Sequence, residues 1–234
     1  ALYFRFGTGC IVKDCVFEQC YAASSSGNYG PSAVVGMEQG TGHLYTNCVF
    51  RNNCARGLNI ASCINFRSTS ASAAQQMRVV DCLFEGNLNY ATASSGSLNC
   101  LGAVMLGMNN DVLLNCTFKD NAVTVKPTGS CSGAYAAPLT LGSRTGSAST
   151  TDPRRSVLNC TFASNTVEVA EGSVETPLKL SRSILVNSVY LSNPFDFVIS
   201  GCTFAGDASA RPDLYWTGLD KTYPVQVLNS LFNG

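Results

Sequence analysis

Charge, histidine and tryptophan are scarce in this sequence. Of its 234 residues, 15 are basic and 15 are acidic, and there are only one histidine and one tryptophan. Because no basic cluster alternates with aromatic residues, we do not expect nucleic acid as a partner. No run of about 18 consecutive apolar residues occurs, so we expect no membrane span. No charged-then-apolar leader precedes Leu2-Tyr3-Phe4, and we interpret the sequence as mature or excised.

The motifs that usually carry catalysis and cofactor binding are also missing. The sequence contains no phosphate-binding glycine loop, no serine elbow, no CxxC pair and no Cys-His pairing. His43 is the only histidine, and we expect it to be structural. We therefore predict no catalytic, cofactor-binding or metal-binding residues, and no enzyme activity.

One repeated unit fills the chain instead. Its cysteine positions are 33, 34, 34, 44 and 42 residues apart, with a last step of 28 to a serine. The seven copies centre on Asp14-Cys15-Val16-Phe17, Asn47-Cys48-Val49-Phe50, Asp81-Cys82-Leu83-Phe84, Asn115-Cys116-Thr117-Phe118, Asn159-Cys160-Thr161-Phe162, Gly201-Cys202-Thr203-Phe204 and Asn229-Ser230-Leu231-Phe232. A period of this length is typical of solenoids, propellers or arrays, and short β-rich apolar runs among Gly, Ser, Thr and Asn favour strands over helices.

Each copy predicts a strand, a tight corner and another strand. The residue three positions before the cysteine is apolar in every copy, and the residue two positions after it is phenylalanine. Side chains on one face of a straight strand differ by even numbers, so a bend must separate these two inward positions. The residue just before the cysteine is always Asp, Asn or Gly, which tolerate left-handed backbone conformations. We predict an inward structural ladder of Phe17, Phe50, Phe84, Phe118, Phe162, Phe204 and Phe232.

A second, partial signature predicts a third strand in each coil. It precedes the cores at residues 32–36, 102–107 and 133–135. Three short parallel strands per turn predict an all-β fold, a right-handed parallel β-helix or solenoid of about seven coils with Ser/Thr/Gly-rich loops. We expect a single domain over residues 1–234 with both terminal coils uncapped.

The repeat resembles those of known β-helix proteins. Four copies carry F-x-x-N, at Phe50 to Asn53, Phe84 to Asn87, Phe118 to Asn121 and Phe162 to Asn165. With the preceding Gly-Ala-Val-like strand, this motif resembles the repeats of bacterial polymorphic outer membrane proteins. The Asn-Cys-Thr-Phe cores resemble the pectin-lyase-like right-handed β-helix superfamily, which includes adhesins, extracellular structural proteins and polysaccharide-cleaving enzymes. Two copies depart from the motif, with Cys20 and Asp207 in the asparagine position.

Twelve cysteines divide into two groups of six. Those of the repeat are predicted to be inward, stacked thiols, because parallel inward side chains seldom meet the dihedral geometry of a disulfide: Cys15, Cys48, Cys82, Cys116, Cys160 and Cys202. The other six lie outside the cores, and their even number suggests an oxidising compartment: Cys10, Cys20, Cys54, Cys63, Cys100 and Cys131. Alignment of the flanking Gly-Ala segments predicts a bridge between Cys100 and Cys131. The remaining four allow three pairings.

Segments rich in Ser, Thr, Ala and Gly at residues 22–32, 67–76, 92–97 and 143–156 are predicted to be exposed loops. One of them carries candidate O-glycan acceptors, namely Thr145, Ser147, Ser149, Thr150 and Thr151. N-linked sequons occur at Asn115 and Asn159. For these two we favour a structural role, in which inward amides bond to neighbouring coils and carry no glycan.

These features favour an extracellular or cell-surface protein with a structural or adhesive role. We expect a subunit or segment of a long rod or filament, assembled head to tail through terminal coils of identical chains, with glycans as further partners. The alternative is a carbohydrate-active enzyme or carbohydrate-binding module on the same fold. Such enzymes cluster carboxylates on one face, whereas Asp14 and Asp81 occupy non-adjacent coils. The segment Asp152-Pro153-Arg154-Arg155 is interpreted as a turn with exposed charge.

Overall fold

The chain folds as a stack of seven coils built from parallel strands. The computed structural model describes residues 2–4, 7–23, 32–37, 41–66, 76–107, 110–142, 154–187, 196–206, 211–217 and 225–233. All regular elements in these segments are strands, and their ladders pair strands of successive coils in parallel. The predicted all-β parallel β-helix of about seven coils is confirmed.

The strands are numbered in chain order. The first three coils contain β1 (Leu2–Phe4), β2 (Ile11–Lys13), β3 (Val16–Glu18), β4 (Tyr21–Ala23), β5 (Val35–Met37), β6 (His43–Thr46), β7 (Val49–Arg51), β8 (Cys54–Arg56), β9 (Ile64–Phe66), β10 (Met77–Val80), β11 (Leu83–Glu85) and β12 (Leu88–Cys100). The next two contain β13 (Val104–Leu106), β14 (Val112–Leu114), β15 (Thr117–Lys119), β16 (Ala122–Ala136), β17 (Leu139–Gly142), β18 (Arg154–Leu158), β19 (Thr161–Ala163), β20 (Thr166–Val169) and β21 (Leu178–Leu180). The last two contain β22 (Ile184–Asn187), β23 (Asp196–Ser200), β24 (Thr203–Ala205), β25 (Leu214–Thr217), β26 (Val225–Leu228) and β27 (Leu231–Asn233).

These strands form four sheets, where the sequence predicted three strands per turn. Sheet I is β1-β5-β9-β13-β17-β22-β25, and sheet II is β2-β6-β10-β14-β18-β23-β26. Sheet III is β3-β7-β11-β15-β19-β24-β27. Sheet IV follows the order β4-β8-β12-β16-β20, with β21 also pairing with β16. The fourth strand of the coil is therefore the main correction to the predicted cross-section.

Two left-handed corners in each of the first five repeats explain the extra strand. The corner expected before each cysteine is present, since Asp14, Asn47, Asp81, Asn115, Asn159, Gly201 and Asn229 all have φ between 47° and 65°. A second corner lies two residues after the phenylalanine, at Gln19, Asn52, Gly86, Asp120 and Ser164, with φ between 52° and 63°. There the chain leaves sheet III and enters sheet IV. An added Cβ at Gly86 would lie 2.7 Å from Oδ1 of Asn52, so this corner is also sterically restricted.

The main core fills the interior of the stack. It consists of the inward side chains of sheets I, II and III, including Tyr45, Phe66, Val79 and Leu113. Apolar side chains that repeat in register on every coil bury one another continuously, which gives a solenoid a single elongated core. Because the interior is filled, side chains that could contact a ligand or partner lie on the outer surface of the rod or at its two ends.

Two long strands build a second apolar cluster beside the main core. β12 and β16 extend well beyond the other strands and pair along almost their whole length, with shifts of register near Gly96. Their inward side chains, such as Leu98, Val123 and Val125, pack with Leu180. Residues 92–97, predicted as a loop, lie within β12. Residues 133–135, predicted as the third strand of a coil, lie in β16 of sheet IV. The sheet I strand that follows them is β17.

Candidate functional site

The phenylalanine ladder runs through the whole stack. Its seven rings stack with centroid separations between 4.6 and 5.3 Å and interplanar angles of 7° to 19°. Register places each ring on the next, as Phe84 on Phe50 and Phe118 on Phe84. The inner five rings are fully buried, Phe17 is half-buried and Phe232 is exposed. The rings are therefore buried in the middle of the stack and accessible to solvent at both ends.

A second inner column consists of the asparagines of the F-x-x-N motif. Asn53, Asn87, Asn121 and Asn165 are all buried. The backbone N–H of Asn87 donates to Oδ1 of Asn121 at 3.1 Å, and Nδ2 of Asn87 donates to the same oxygen at 2.9 Å. Nδ2 of Asn87 also donates to the carbonyl of Phe50 at 2.9 Å. This pattern repeats from coil to coil and satisfies backbone groups that the second corner would otherwise leave unpaired.

The two sequons lie on the outside of the rod, contrary to the inward placement favoured from the sequence. Asn115 and Asn159 are exposed at the first corner. Nδ2 of Asn115 donates to the Asp81 carboxylate at 3.0 Å, and Asn47 donates to Asp14 at 2.6 Å in the same column. The left-handed corner turns these side chains outward, so burial does not prevent either sequon from carrying a glycan. The candidate O-glycan acceptors Thr145, Ser147, Ser149, Thr150 and Thr151 lie outside the described residues.

The repeat cysteines form a third inner column. Each thiol donates to the carbonyl two residues before it, with Sγ to O distances from 3.1 Å at Cys15 to 3.5 Å at Cys202. The hydroxyl of Ser230 makes the same contact at 2.9 Å in the last coil. The column therefore caps carbonyl groups at the first corner. Burial raises the pKa of the Cys48 thiol to about 11.

All twelve cysteines are free thiols in this structure. The alignment used to pair Cys100 with Cys131 does not match the observed register, in which Cys100 lies opposite Ala136 and Cys131 lies opposite Gly96. Cys131 instead contacts the carbonyl of Ala93 at 3.3 Å. Burial raises the pKa of Cys100 to about 12, which keeps this thiol protonated. Cys63 is fully buried, whereas Cys10, Cys20 and Cys54 are half-buried.

A buried polar column in sheet II was not anticipated. Arg155, interpreted from the sequence as an exposed turn residue, is fully buried with its guanidinium carbon 5.6 Å from the centroid of the Phe197 ring. Burial lowers the pKa of Arg155 to about 10, while the charge of Asp111 acts in the opposite direction. Asp111 is also buried and accepts the N–H of Met77 at 3.1 Å. Strand alternation could have predicted the burial of Arg155, because Arg155 precedes the inward Val157 by two residues and so shares its face.

His43 belongs to the same column and is fully buried. Its Nδ1 accepts the backbone N–H of Cys10 at 3.2 Å. Burial lowers the pKa of the imidazole. These contacts place His43 in the interior of the second coil.

A polar cleft opens on the side of the rod near the last strand of sheet IV. It has a volume of about 100 Å³ and is lined by Ser164, Asn165, Thr166, Arg182, Ser183, Ala205, Gly206 and Asp213. Arg182 and Asp213 form a two-pronged ion pair, with Nε to Oδ1 at 2.7 Å and the second nitrogen to Oδ2 at 2.8 Å. Their side chains are only 11% and 12% exposed. The cleft is therefore a preformed polar site, and no motif in the sequence predicted it.

The two end coils expose apolar side chains. In the last coil, Trp216 is 54% exposed and Phe232 is 49% exposed, although the residues that precede them in their columns, Val186 and Phe204, are buried. In the first coil, Leu2, Phe4, Val12 and Phe17 are only half-buried against the main core. The described part of the chain thus has two apolar end faces and comparatively polar sides.

Within the described segments, no three His, Cys, Asp or Glu residues come together as a metal site would require. None of the described residues forms a helix long and apolar enough to span a bilayer. No protein-family model, no curated protein and no solved structure matches this chain. The likeness to polymorphic outer membrane proteins and to the pectin-lyase-like superfamily accordingly remains a resemblance of motifs.

Proposed function

We propose that this chain is a structural, non-enzymatic element of an extracellular rod or filament, in which further coils of the same kind stack on its two end coils. The observation that carries the proposal is the chemical match between the exposed face of the last coil and that of the first. This match occurs position by position along three sheets.

In sheet I, the last coil presents the same order of side-chain types as the first. Register along the sheet places Leu214, Tyr215 and Trp216 in the columns of Leu2, Tyr3 and Phe4. In the other two sheets, Val227 shares the column of Val12, and Phe232 shares the column of Phe17. An apolar or aromatic residue would therefore meet another at each of these positions of a joint.

The polar columns also continue across such a joint. Asn229 would lie against Asp14 of the next unit, which repeats the order of Asn47 and Asp81 inside the rod. Ser230 would lie against Cys15, and both side chains already cap the same carbonyl position in their own coils. These two polar columns can therefore continue through the joint.

The energetic argument follows from burial and from strand pairing. Complete burial of one large apolar side chain contributes about 1.5–3 kcal/mol, and the end faces carry several. Among the described residues, the strands of both end coils are the outermost strands of sheets I, II and III, and such edges favour the addition of further strands. Because the two faces differ, the contact does not close on itself and generates a linear assembly.

The extracellular and adhesive parts of the proposal depend on the outer surface. Both sequons occupy exposed corners on the same edge of the rod, where glycans would project away from the core. Secretion would supply the compartment in which such sequons are used.

Sedimentation velocity across a range of protein concentrations tests the proposal. The wild-type chain should form larger species as its concentration rises, whereas the double variant Trp216→Asp, Phe232→Asp should need at least tenfold more protein, because each carboxylate would have to be buried in the joint. Val174→Asp is the matched control, since Val174 is 41% exposed but lies on the side of the rod. A wild-type chain that stays monomeric at every concentration, or an equal effect of the control, would contradict end-to-end stacking.

A further inference from the structure

The column of repeat cysteines connects each coil to the coil before it. Sγ of Cys116 lies 3.5 Å from the carbonyl oxygen of Val79 in the preceding coil, and the corresponding distances in the second to sixth coils range from 3.5 to 3.9 Å. In the other direction, the backbone N–H of Cys116 donates to Sγ of Cys160 at 3.4 Å, and that of Cys202 donates to Oγ of Ser230 at 3.2 Å. Each of these sulfur or oxygen atoms therefore faces the preceding coil.

Cys15 occupies this column in the first coil. Its thiol donates to the carbonyl of Lys13 at 3.1 Å, the contact that the other members of the column make within their own coils. Cys48, in the second coil, is 1% exposed, whereas Cys15 is half-buried. Because the column repeats in register, the sulfur of Cys15 faces the side on which a preceding coil would stack.

The proposed joint would use this sulfur directly. In the order of the column, Sγ of Cys15 would contact the carbonyl of Val227 of the preceding unit and accept the N–H of its Ser230. Strands that pair across a joint lie about 4.8 Å apart, and protein interiors are close-packed. A substituent of several atoms on this sulfur would therefore hold the two units apart.

We propose that Cys15 is a site of reversible thiol modification by small disulfides such as oxidised glutathione, and that its mixed disulfide blocks stacking on the first coil. The Cys15 thiolate attacks one sulfur of the small disulfide, and a new S–S bond forms as the original one breaks. The released half leaves as a thiolate and takes up a proton equivalent to the one that Cys15 lost, so the exchange needs no further oxidant. This switch rests on the proposed function and adds a means of regulating it.

The accessibility of the cysteines gives this reaction its selectivity. Eight of the twelve are buried, and buried thiols are inert, which leaves Cys10, Cys15, Cys20 and Cys54 as half-buried candidates. Cys54 lies on the side of the rod, in the same column as Tyr21 and Leu88 of sheet IV, which are 62% and 50% exposed. Modification of Cys54 would therefore leave both end faces unchanged.

A variant with Cys10→Ala, Cys20→Ala and Cys54→Ala keeps Cys15 as its only half-buried cysteine and isolates its effect. Oxidised glutathione is added to this variant at a concentration where it is monomeric, and peptide mapping verifies the mixed disulfide at Cys15. In sedimentation velocity the modified protein should need at least tenfold more protein than the untreated variant to form the same larger species. Dithiothreitol should restore stacking, because it removes the modification.

The same variant with Cys15→Ser added is the matched control. The hydroxyl of Ser230 already makes the carbonyl contact of this column at 2.9 Å, so serine at position 15 should permit stacking. Oxidised glutathione should change the stacking of this control by less than about twofold, because no accessible thiol remains on the first coil. Circular dichroism of both proteins verifies that the fold is retained.

The results separate the switch from the stacking itself. Stacking that persists when Cys15 carries the mixed disulfide would overturn the switch alone. Failure of Cys15 to react in the monomer, or an equal effect of oxidised glutathione on the Cys15→Ser control, would also overturn it. An untreated chain that never stacks would overturn the proposed function, and the switch with it.

Discussion

The inner and outer asparagine columns use the same residue type for opposite purposes. Asn121 lies inside the coil, where its amide bonds the coils before and after it. Asn115 lies six residues earlier, exposed at a left-handed corner, where its side chain donates to the carboxylate of Asp81. The inner column stabilises the fold through buried hydrogen bonds, and the outer column permits the backbone to turn. Position relative to the corner, and not residue type, decides the role.

We expect the largest difference in stability between substitutions of an inward and an outward side chain in sheet III. Phe118→Ala should lower the free energy of unfolding by about 3–5 kcal/mol, because the stacked neighbours Phe84 and Phe162 cannot close the cavity. Thr117→Ala, on the outer face of the same strand, should change it by less than about 0.5 kcal/mol. Urea denaturation of both variants measures the difference, and similar midpoints would refute the assignment of the two faces.

The asparagine columns give the next largest contrast. Asn121→Ala should cost about 2–4 kcal/mol, because it leaves buried groups of Asn87 and Phe84 without partners. Asn115→Gly should cost less than about 1 kcal/mol, because glycine adopts the left-handed corner without strain and no buried group is lost. Equal losses of stability in the two variants would show that the columns are not functionally different.

The buried thiols give a smaller effect that depends on pH. Cys48 and Cys100 have pKa values of about 11 and about 12 in the folded chain, raised by burial, whereas a thiol in the unfolded chain ionises near its ordinary value of 9. Above pH 9 the unfolded state therefore binds fewer protons, and stability falls as the pH rises towards 11 and 12. At pH 10 the raised pKa of each thiol should lower the free energy of unfolding by about 1 kcal/mol.

Denaturation of the wild-type chain and of Cys48→Ala at pH 8 and pH 10 checks this effect. The variant should lose less stability between the two pH values than the wild type does. Identical pH dependence in the two proteins would argue against the burial of the thiol at Cys48.

Repeat spacing and residue alternation predicted much of this fold. The offset between Val79 and Cys82 required a bend, and the left-handed φ of 54° at Asp81 provides it. The second corner was missed, although Gln19, Asn52, Gly86, Asp120 and Ser164 include residue types that favour turns. This second corner adds the sheet IV strand, so that a coil has four strands and not three.

The outward direction of the sequons follows from the same geometry. Strict alternation from the inward Leu113 would turn Asn115 inward, but the left-handed corner resets the alternation, and Cys116 takes the interior position. The polar cleft could not be predicted, because it joins residues of different coils through an ion pair between Arg182 and Asp213 that repeat spacing does not encode. The repeat in the sequence predicts features that occur in every coil, whereas the residues of this cleft are not part of the repeat.

Electron microscopy of the purified chain at high concentration tests the central claim most directly, because stacking through the end coils fixes both the direction and the step of assembly. Seven coils at about 4.8 Å each give a unit about 34 Å long. We predict unbranched rods whose lengths are multiples of this unit, with a continuous axial spacing of about 4.8 Å across the joints. Particles that are always one unit long, or units associated side by side, would contradict the account.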